Sequence, residues 1–170
     1  MNVIRLTPAS YVVLGLVEQM GSATPYQLKQ AVALGLSEFW SLPHTQLYSE
    51  SERLAEAGLL GERREKSGRR RRVYRLTTKG RKSLDDWRAE PTPELYEIRD
   101  AGLLKLFFGA DPTGLAETQL EAHRTKLRWY EELRDAAGND APEGARLTLE
   151  AGIGHEREYI RFWSRVRDGE

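Results

Sequence analysis

The stretch that decides the fold runs from Ser41 to Thr77 and reads SLPHTQLYSESERLAEAGLLGERREKSGRRRRVYRLT. Leu47, Ser51 and Leu54 are spaced four and three residues apart, so they share one side of a predicted α-helix. Gly58 is a suitable left-handed residue to end this helix. The opposite, outer side is polar and carries Thr45, Tyr48, Ser49, Glu52 and Arg53. Such a side suits a surface that contacts another molecule.

The residues after this helix predict a β-hairpin. Two short runs, Leu59–Lys66 and Arg69–Leu76, flank a turn at Ser67-Gly68. Val73 and Leu76 are expected to seat the base of the hairpin on the core. The predicted tip is basic and carries Arg63, Arg64, Lys66, Arg69, Arg70, Arg71 and Arg72. A polar helix followed by an arginine-rich hairpin is typical of a winged helix-turn-helix. In that fold the helix enters the major groove of DNA, and the hairpin, or wing, contacts phosphates or the neighbouring minor groove.

Two functions remain open for this arrangement. The first is a dimeric DNA-binding transcriptional regulator, in which the arginines contact phosphates while Gln46, Tyr48 and Ser49 position or read bases. The second is a winged-helix protein-interaction module that does not bind DNA. The arginine cluster favours the first, because an interaction wing has no need of so much positive charge. The acidic residues of the helix, Glu50 and Glu52, are the best argument for the second.

The distribution of charge also favours nucleic acid as the partner. The formal net charge is zero, but residues 1–82 contain 14 Lys+Arg and 7 Asp+Glu, whereas residues 83–170 contain 12 and 19. Residues 62–82 alone contain 11 basic and 2 acidic side chains. A polyanion is therefore attracted to one half of the chain and repelled by the other.

The length and composition indicate a globular protein of one domain or two small ones, with 170 residues, 39% of them apolar and 31% charged. No apolar run approaches the roughly 20 residues that a membrane span requires. The N-terminal segment MNVIRLTPAS has no cleavable signal pattern, so a cytoplasmic location is expected, without membrane contact. The absence of cysteine excludes disulfides and thiolate metal sites.

The sequence does not predict an enzyme, a cofactor or a metal site. It contains neither a glycine-rich phosphate loop nor a nucleophile elbow. Adjacent carboxylates such as Asp85-Asp86 and Glu131-Glu132 point apart on a helix, which does not suit paired acid–base catalysis. The three histidines, His44, His123 and His155, lack the spacing of metal ligands, and they are interpreted as surface or packing residues.

The first part of the chain is predicted to contain three helices before the hairpin. Thr7-Pro8 and Thr24-Pro25 are both start signals, an N-cap followed by proline at the first helical position. The first helix is nearly all apolar and is expected to be the central core helix. Thr78 is predicted to cap a further helix through Trp87. The segment EPTP at 90–93 then separates a winged helix-turn-helix domain, residues 1–90, from a C-terminal helical domain, residues 91–170.

The C-terminal domain is predicted to contain helices at residues 95–108, 113–137 and 142–167, the last two forming an antiparallel pair. Such a pair cannot hide its apolar side alone, so contact with the first domain, a second copy or both is expected. Gly152 and Gly154 indicate either close helix approach across a dimer or a local fray or kink. The predicted dimer interface consists of Leu120, Leu127, Tyr130, Ile153, Ile160 and Trp163. The expected fold is thus mainly α, a three-helix winged domain with a two-stranded β wing followed by a helical dimerisation domain.

Several segments together resemble the PadR family of bacterial transcriptional regulators, particularly the subgroup with a long, virulence-activator-like C-terminal helical domain. The resemblance covers essentially the whole chain, and it is carried by the order and spacing of its parts. These parts are LTPASYVVLGLV at 6–17, PYQLKQ at 25–30, FW at 39–40, TQLYSESERLAEAGLL at 45–60, RRVYRLTTKG at 71–80, Trp87, and RDAGLLKLFFG at 99–109.

The resemblance implies a homodimer in which the C-terminal helices pack crosswise and each winged helix reads half of a palindromic operator. It implies a repressor, since most such regulators repress, and some release DNA on binding aromatic or planar compounds. The residues that it assigns to double-stranded DNA are Tyr26, Gln46, Tyr48, Ser49, Arg69, Arg70, Arg71 and Arg72. Thr45 and Arg53 join this predicted set because they lie on the outer side of the predicted helix. A small aromatic effector is expected near Trp87, Tyr96 and Phe107, although these aromatic side chains are alternatively core and interface.

The predicted recognition helix departs from the family pattern. The family usually has LYPALxRL, whereas this chain has LYSESERL at 47–54. Ser49 replaces a proline, Ser51 replaces a leucine that would face the core, and Glu50 and Glu52 bring negative charge near DNA. Two interpretations of Glu52 remain open: it accepts a hydrogen bond from a cytosine amino group, or it faces solvent or pairs with Arg53. No operator sequence carries over across these changes.

Overall fold

A computed structural model describes residues 4–64, 71–138 and 141–170 of the chain. The chain divides into two compact units, Met1–Glu94 and Leu95–Glu170, each of which is described by itself.

The first unit contains the four helices and the hairpin that the sequence predicts for a winged helix-turn-helix. The helices and strands follow one another as α1 (Pro8–Met20), α2 (Pro25–Ala33), α3 (His44–Glu56), β1 (Leu60–Arg64), β2 (Arg72–Leu76) and α4 (Thr78–Ala89). A short 3-10 turn, Leu36–Glu38, lies between α2 and α3. The predicted turn at Ser67-Gly68, together with Arg69 and Arg70, lies outside the described residues.

The starts of α1 and α2 follow the predicted cap and proline signals. Thr24 and Gln27 form a reciprocal capping box, in which the Thr24 hydroxyl accepts from the Gln27 amide at 3.3 Å and the Gln27 side chain accepts from the Thr24 amide at 2.9 Å. At the start of α1 the Ser10 hydroxyl accepts from the Thr7 amide at 2.8 Å. Gly21 ends α1 with a φ of 69°, a left-handed conformation that glycine adopts without steric cost. These local signals explain why both helices begin where the sequence predicts.

The first unit has one core, and α1 is its central helix, as predicted. Its fully buried side chains come from all six elements and the segments between them: Val13, Leu14, Val17, Ala23, Leu28, Val32, Leu47, Leu54, Leu59, Leu60, Tyr74 and Leu84. Tyr74, rather than the predicted Val73, seats the hairpin on this core, because it has no exposed surface. Leu76 packs against the same cluster, as predicted.

The hairpin pairs Leu60 with Leu76 at its base and Arg64 with Arg72 at the last described pair. β2 also pairs with Ala23, just before α2, through N–H···O bonds of 3.0 and 2.8 Å between Ala23 and Tyr74. This third point of attachment was not predicted. It fixes β2 to the segment that leads into the helix-turn-helix.

The start of α4 differs from the prediction by one residue and is held by a close contact. Thr77, not Thr78, is the N-cap, and its hydroxyl accepts from the Gly80 amide at 3.0 Å and donates to the Gly58 carbonyl at 2.8 Å. Gly80 lies so close to the end of the α3–β1 turn that an added Cβ would be 2.1 Å from the Leu59 carbonyl oxygen. The contact with this turn therefore favours Thr77, rather than the adjacent Thr78, as the N-cap of α4.

The second unit contains α5 (Ala101–Phe107), α6 (Pro112–Ala137) and α7 (Glu143–Asp168). The bounds of α6 and α7 agree with the prediction to within one residue. The predicted helix at 95–108 is wrong in its first turns, because residues 95–100 have no regular structure. Asp100 is the N-cap of α5, and its carboxylate accepts from the amides of Gly102 and Leu103 at 2.7 and 3.0 Å. Among the described residues, no helix is long and apolar enough to cross a membrane.

Helices α6 and α7 form the predicted antiparallel pair. His123 Nδ1 lies 2.6 Å from Glu156 Oε2, whereas Tyr130, further along α6, lies beside Gly152, nearer the start of α7. An added Cβ on Gly152 would be 3.2 Å from the Tyr130 ring, whereas Gly154 has nothing within 4 Å. The close approach at Gly152 is therefore within one chain, and α7 continues through both glycines without a fray.

Four of the six predicted interface residues belong to the core of the second unit. Leu120, Ile153 and Trp163 are at most 2% exposed and Tyr130 is 9% exposed, whereas Leu127 and Ile160 are half-buried. Within the chain, these four side chains pack between the helices of this unit.

Candidate nucleic-acid interface

The outer side of α3 is polar and exposed over its whole length. Leu47, Ser51 and Leu54 have no exposed surface, which confirms the predicted phase of the helix. The Ser49 hydroxyl donates back to the carbonyls of Thr45 and Gln46, both at 3.2 Å, so its proton is used within the helix. The exposed side chains that remain able to contact a ligand are those of Thr45, Gln46, Tyr48, Ser49 and Glu52. They offer amide, phenol, hydroxyl and carboxylate groups.

Helix α2 packs against α3 and exposes Tyr26 in its first turn. The Tyr26 hydroxyl is 3.4 Å from the Gln30 side-chain nitrogen one turn later. The connection between the two helices exposes the aromatic pair Phe39 and Trp40. The predicted Tyr26 and the predicted residues of α3 thus lie on neighbouring helices of one helix-turn-helix.

The hairpin carries one cluster of exposed positive charge in this unit. Arg63, Arg64, Arg71 and Arg75 are all exposed along its two strands and at its described end. Arg72 differs, because its guanidinium Nη1 lies 2.5 Å from Glu52 Oε1 and its Nε lies 3.7 Å from a Glu62 oxygen. Glu52 therefore pairs with Arg72 rather than with the predicted Arg53.

Arg53 turns away from the outer side of α3, so its predicted place there is wrong. Its guanidinium donates to Glu50 through two bonds of 2.9 and 2.6 Å, to the Ser10 hydroxyl at 3.0 Å and to the Arg5 carbonyl at 3.1 Å. The Ser10 hydroxyl donates to the same Glu50 carboxylate at 2.5 Å. We call Ser10, Glu50 and Arg53 the α1–α3 polar cluster. It joins the segment before α1, α1 itself and α3.

Glu50 is only 7% exposed, so it does not bring negative charge to the surface as expected. Burial by itself would raise the pKa of this carboxyl group. The hydrogen bonds from Arg53 and Ser10, together with the positive charge of Arg53, outweigh burial and hold the pKa of Glu50 below its ordinary value of 4.5. The carboxylate is therefore ionised at neutral pH and is a structural link between α1 and α3.

The sequence contains a signal for this link that was overlooked. Glu50 lies three residues after Leu47 and four before Leu54, so it falls on the buried side of α3. Its i,i+3 spacing to Arg53 is that of a helical ion pair. The partner on α1, Ser10, is 40 residues away in sequence, and only the packing of the two helices brings it into reach.

The predicted effector residues are aromatic side chains with substantial exposure. Trp87 on α4 stacks on Tyr11 of α1, with ring centroids 4.5 Å apart and planes 8° apart, and it stays 45% exposed. Glu18 holds the same two helices together by accepting from the guanidinium groups of α4. In the second unit Tyr96 and Phe107 are 73% and 83% exposed. Trp87 thus makes a packing contact, and all three aromatic side chains keep exposed surface that a ligand could contact.

The histidines play no part in a metal site among the described residues, where no group of three suitable side chains occurs. His123 instead lies beside Glu156 and near the Tyr159 ring, at 4.9 Å between ring centroids, and His155 contacts the same tyrosine. The expected packing role describes His123 well.

Comparison with known proteins identifies the family of both units. A family model described as "Transcriptional regulator PadR-like family" matches residues 13–86, and one described as "Virulence activator alpha C-term" matches residues 98–168. The chain belongs to the PadR-like family of transcriptional regulators. It is 29% identical over 169 residues to the negative transcriptional regulator PadR of Bacillus subtilis (strain 168), and this match covers 89% of the chain and 91% of the relative.

Solved structures of the same relative have the same fold. The B. subtilis PadR structure in complex with operator DNA matches with a TM-score of 0.83 and 24% identity, over 94% of this chain and 96% of that one. The structure in complex with p-coumaric acid matches with a TM-score of 0.79 and 23% identity, over 96% and 97%. The PadR-like chain described here therefore has the fold of these regulators over nearly its full length.

Proposed function

We propose that this PadR-like regulator is a homodimeric repressor that binds a palindromic operator in double-stranded DNA. The observation that carries the proposal is the pairing of a polar, exposed α3 with a neighbouring hairpin that exposes Arg63, Arg64, Arg71 and Arg75. A relative described as a negative regulator, and its structure with operator DNA, support the same function. We further propose that the protein acts in the cytoplasm and without catalytic activity.

In this proposal each element has a separate task. Thr45, Gln46, Tyr48 and Ser49 at the start of α3 face the major groove, where their amide, phenol and hydroxyl groups position the helix or read bases. Tyr26 at the start of α2 contacts the flanking phosphates. The wing arginines, Arg69 to Arg72 with Arg63, Arg64 and Arg75, neutralise phosphates and release counterions. Arg53 is left out of the proposed set, because its guanidinium makes four hydrogen bonds to Glu50, Ser10 and the Arg5 carbonyl.

We retain the division into a DNA-binding domain, residues 1–90, and a dimerisation domain, residues 91–170, as part of the proposal. The second unit exposes large apolar side chains that a second copy would cover, namely Leu95, Tyr96, Ile98, Leu104, Phe107, Phe108 and Leu147. Exposed apolar surface of this extent is typical of an interaction site. The half-buried Leu127 and Ile160 remain candidates from the predicted interface, and sedimentation of the purified protein measures whether two copies associate.

We propose an aromatic carboxylic acid as the effector, on the ground that p-coumaric acid is bound in a structure of the B. subtilis relative. Trp87 in the first unit, and separately Tyr96 and Phe107 in the second, are candidates for a flat apolar contact with its ring. Titration with p-coumaric acid should quench tryptophan fluorescence in the wild type and much less in Trp87→Phe. Trp40→Phe is the matched control, because Trp40 is exposed to a similar degree, 42% against 45%, on another surface of the same unit. Equal quenching in both variants would remove Trp87 from the site.

The DNA-binding proposal is tested by a mobility shift of the purified protein on its own upstream region and on a scrambled duplex, at two salt concentrations. Specific retention at the higher salt is expected, because base contacts persist when counterion release is weakened. Tyr48→Ala should lose most of the operator affinity while its thermal unfolding changes little, since the ring is exposed. Failure to bind either duplex at both salt concentrations would favour the protein-interaction module instead.

A further inference from the structure

Glu52 is an acidic side chain on the outer side of α3, where the proposed function brings DNA. It lies one turn after Tyr48, and its side chain is 53% exposed. Its carboxylate accepts from Arg72 at 2.5 Å, and Arg72 is the first residue of β2. This contact, which we call the helix–wing ion pair, therefore connects the helix that would read bases to the wing that would contact phosphates.

The helix–wing ion pair neutralises two charges that would act in opposite directions on DNA. A free carboxylate on this side of α3 would be repelled by the phosphate backbone, whereas a free Arg72 would be attracted to it. Glu62 on β1 lies 3.7 Å from the Arg72 Nε and helps to hold the guanidinium in place. Arg53 does not take the place of Arg72, because its guanidinium binds Glu50, Ser10 and the Arg5 carbonyl. Whether Glu52 leaves a net negative charge on the outer side of α3 thus depends on the position of the Arg72 guanidinium.

Both members of the pair have an alternative partner in a DNA complex. The planar guanidinium of arginine binds a phosphate with the same two-pronged geometry that it uses for a carboxylate. A glutamate freed from its arginine can accept a hydrogen bond from the amino group of cytosine in the major groove. Adenine also has an amino donor there but places its N7 acceptor beside it, and guanine and thymine offer only acceptors. Because both side chains are partly exposed, breaking the ion pair costs little folding stability.

We propose that the helix–wing ion pair opens on a matching operator and stays closed on other DNA, which makes Glu52 a specificity-determining residue. Arg72 moves its guanidinium from Glu52 to a backbone phosphate, and Glu52 accepts a hydrogen bond from a cytosine amino group. Where another base occupies that position, the freed carboxylate would face an acceptor atom of that base, so Arg72 remains on Glu52 and the phosphate contact is not made. This inference rests on the proposed DNA-binding function.

The test is selection of binding sites from a randomised duplex library, followed by sequencing, for the wild type, Glu52→Gln and Glu56→Gln. Glu56 is the matched control, because it is an exposed glutamate one turn further along the same helix. The wild type should select a palindrome with cytosine at one position of each half-site. Glu52→Gln should lose that preference by about 5-fold or more, or change it to adenine, which glutamine reads. Glu56→Gln should select the wild-type sequence.

Arg72→Ala provides a second measurement on the selected operator. It should reduce both the affinity and the salt dependence of binding. The additional loss on changing Glu52 to Gln should be larger in Arg72→Ala than in the wild type, because no ion pair has to be broken there to free the carboxylate.

Other outcomes would overturn the inference in distinguishable ways. A wild-type protein that enriches no sequence would fail the proposed function and the inference together. A Glu52→Gln variant that selects the unchanged palindrome would leave the regulator intact but remove Glu52 as a specificity residue. Equal tightening of Glu52→Gln on operator and random DNA would reduce Glu52 to a simple repulsive charge.

Discussion

At the scale of single residues, the most informative side chain is Glu50. It is a buried carboxylate that joins α3 to α1 through Ser10 and Arg53, although it lies in a stretch that was predicted to bring acidic charge to the surface. Its two oxygens accept from a hydroxyl and from a guanidinium, so burial leaves neither of them without a donor. The orientation of α3 therefore depends on a buried carboxylate that lies away from its exposed outer side.

We predict that Glu50→Gln removes stability at neutral pH and that the difference from the wild type disappears in acid. The pKa of Glu50 is held below its ordinary value of 4.5, so its contribution is complete above that value and is lost as the pH falls through the lower, folded-state pKa. The loss at pH 7 should be about 1.5–3 kcal/mol, as for hydrogen bonds to a charged group.

Urea unfolding between pH 7 and 3 measures this prediction. Glu56→Gln is the control, because Glu56 is exposed on the same helix, and it should change stability little at any pH. A Glu50→Gln deficit of constant size across the whole range would contradict the assignment, because altered packing rather than the missing charge would then be responsible.

At the scale of elements, the junction between α3, β1 and α4 is the tightest described contact in the first unit. Gly80 in the first turn of α4 leaves no room for a side chain beside the Leu59 carbonyl. Thr77 binds the same turn through the Gly58 carbonyl. The position of α4 relative to the end of α3, and with it the base of the wing, is set at this junction.

Gly80→Ala is expected to destabilise the protein by about 1–3 kcal/mol, because an added Cβ 2.1 Å from a backbone oxygen forces the chain to move. The gain in helix propensity, about 1 kcal/mol, is smaller than this cost. Gly154→Ala is the matched control, since nothing lies within 4 Å of its added Cβ, and it should raise the melting temperature. If thermal unfolding showed both variants to be stabilised, the close approach at Gly80 would be wrong.

Prediction from the sequence succeeded at some elements and failed at others for physical reasons. The starts of α1 and α2 were predicted correctly because a threonine cap and a proline act within the first turn. The apolar run at 95–108 was extended too far, because its hydrophobicity did not reveal that Asp100 begins the helix. The choice between Thr77 and Thr78 required the contact with the preceding turn, which periodicity does not contain.

At the scale of the whole molecule, the basic and acidic side chains are concentrated in different parts of the chain. The basic excess of residues 1–82 and the acidic excess of residues 83–170 belong largely to different units. Within the first unit, exposed basic side chains lie on the hairpin and on α4. Arg53 and Arg72 differ from these, because Arg53 is bound to the α1–α3 polar cluster and Arg72 to Glu52.

We predict that Arg71→Ala combined with Arg75→Ala weakens binding to operator and scrambled DNA alike. Each lost phosphate contact should reduce the magnitude of the slope of log K against log salt concentration by about 0.9, so the double variant should reduce it by about 1.8. Arg146→Ala is the control, because Arg146 is an exposed arginine of the second unit, and its slope should equal that of the wild type. Fluorescence anisotropy over a series of salt concentrations gives the slopes, and an unchanged slope in the double variant would mean that these arginines do not contact phosphates.

The sequence by itself determined the order of the elements, the phase of α3, the basic hairpin and the antiparallel α6–α7 pair. Caps, glycines and apolar spacing act over a few neighbouring residues, so they can be read along the chain. Only the tertiary structure decided which polar side chains meet: Glu50 with Ser10 across 40 residues, and Glu52 with Arg72 across 20. It also decided that the α7 backbone at Gly152 packs against Tyr130 of α6 in the same chain. Such pairings depend on how finished elements pack, because two side chains that are distant in sequence become neighbours only when the elements that carry them share a core.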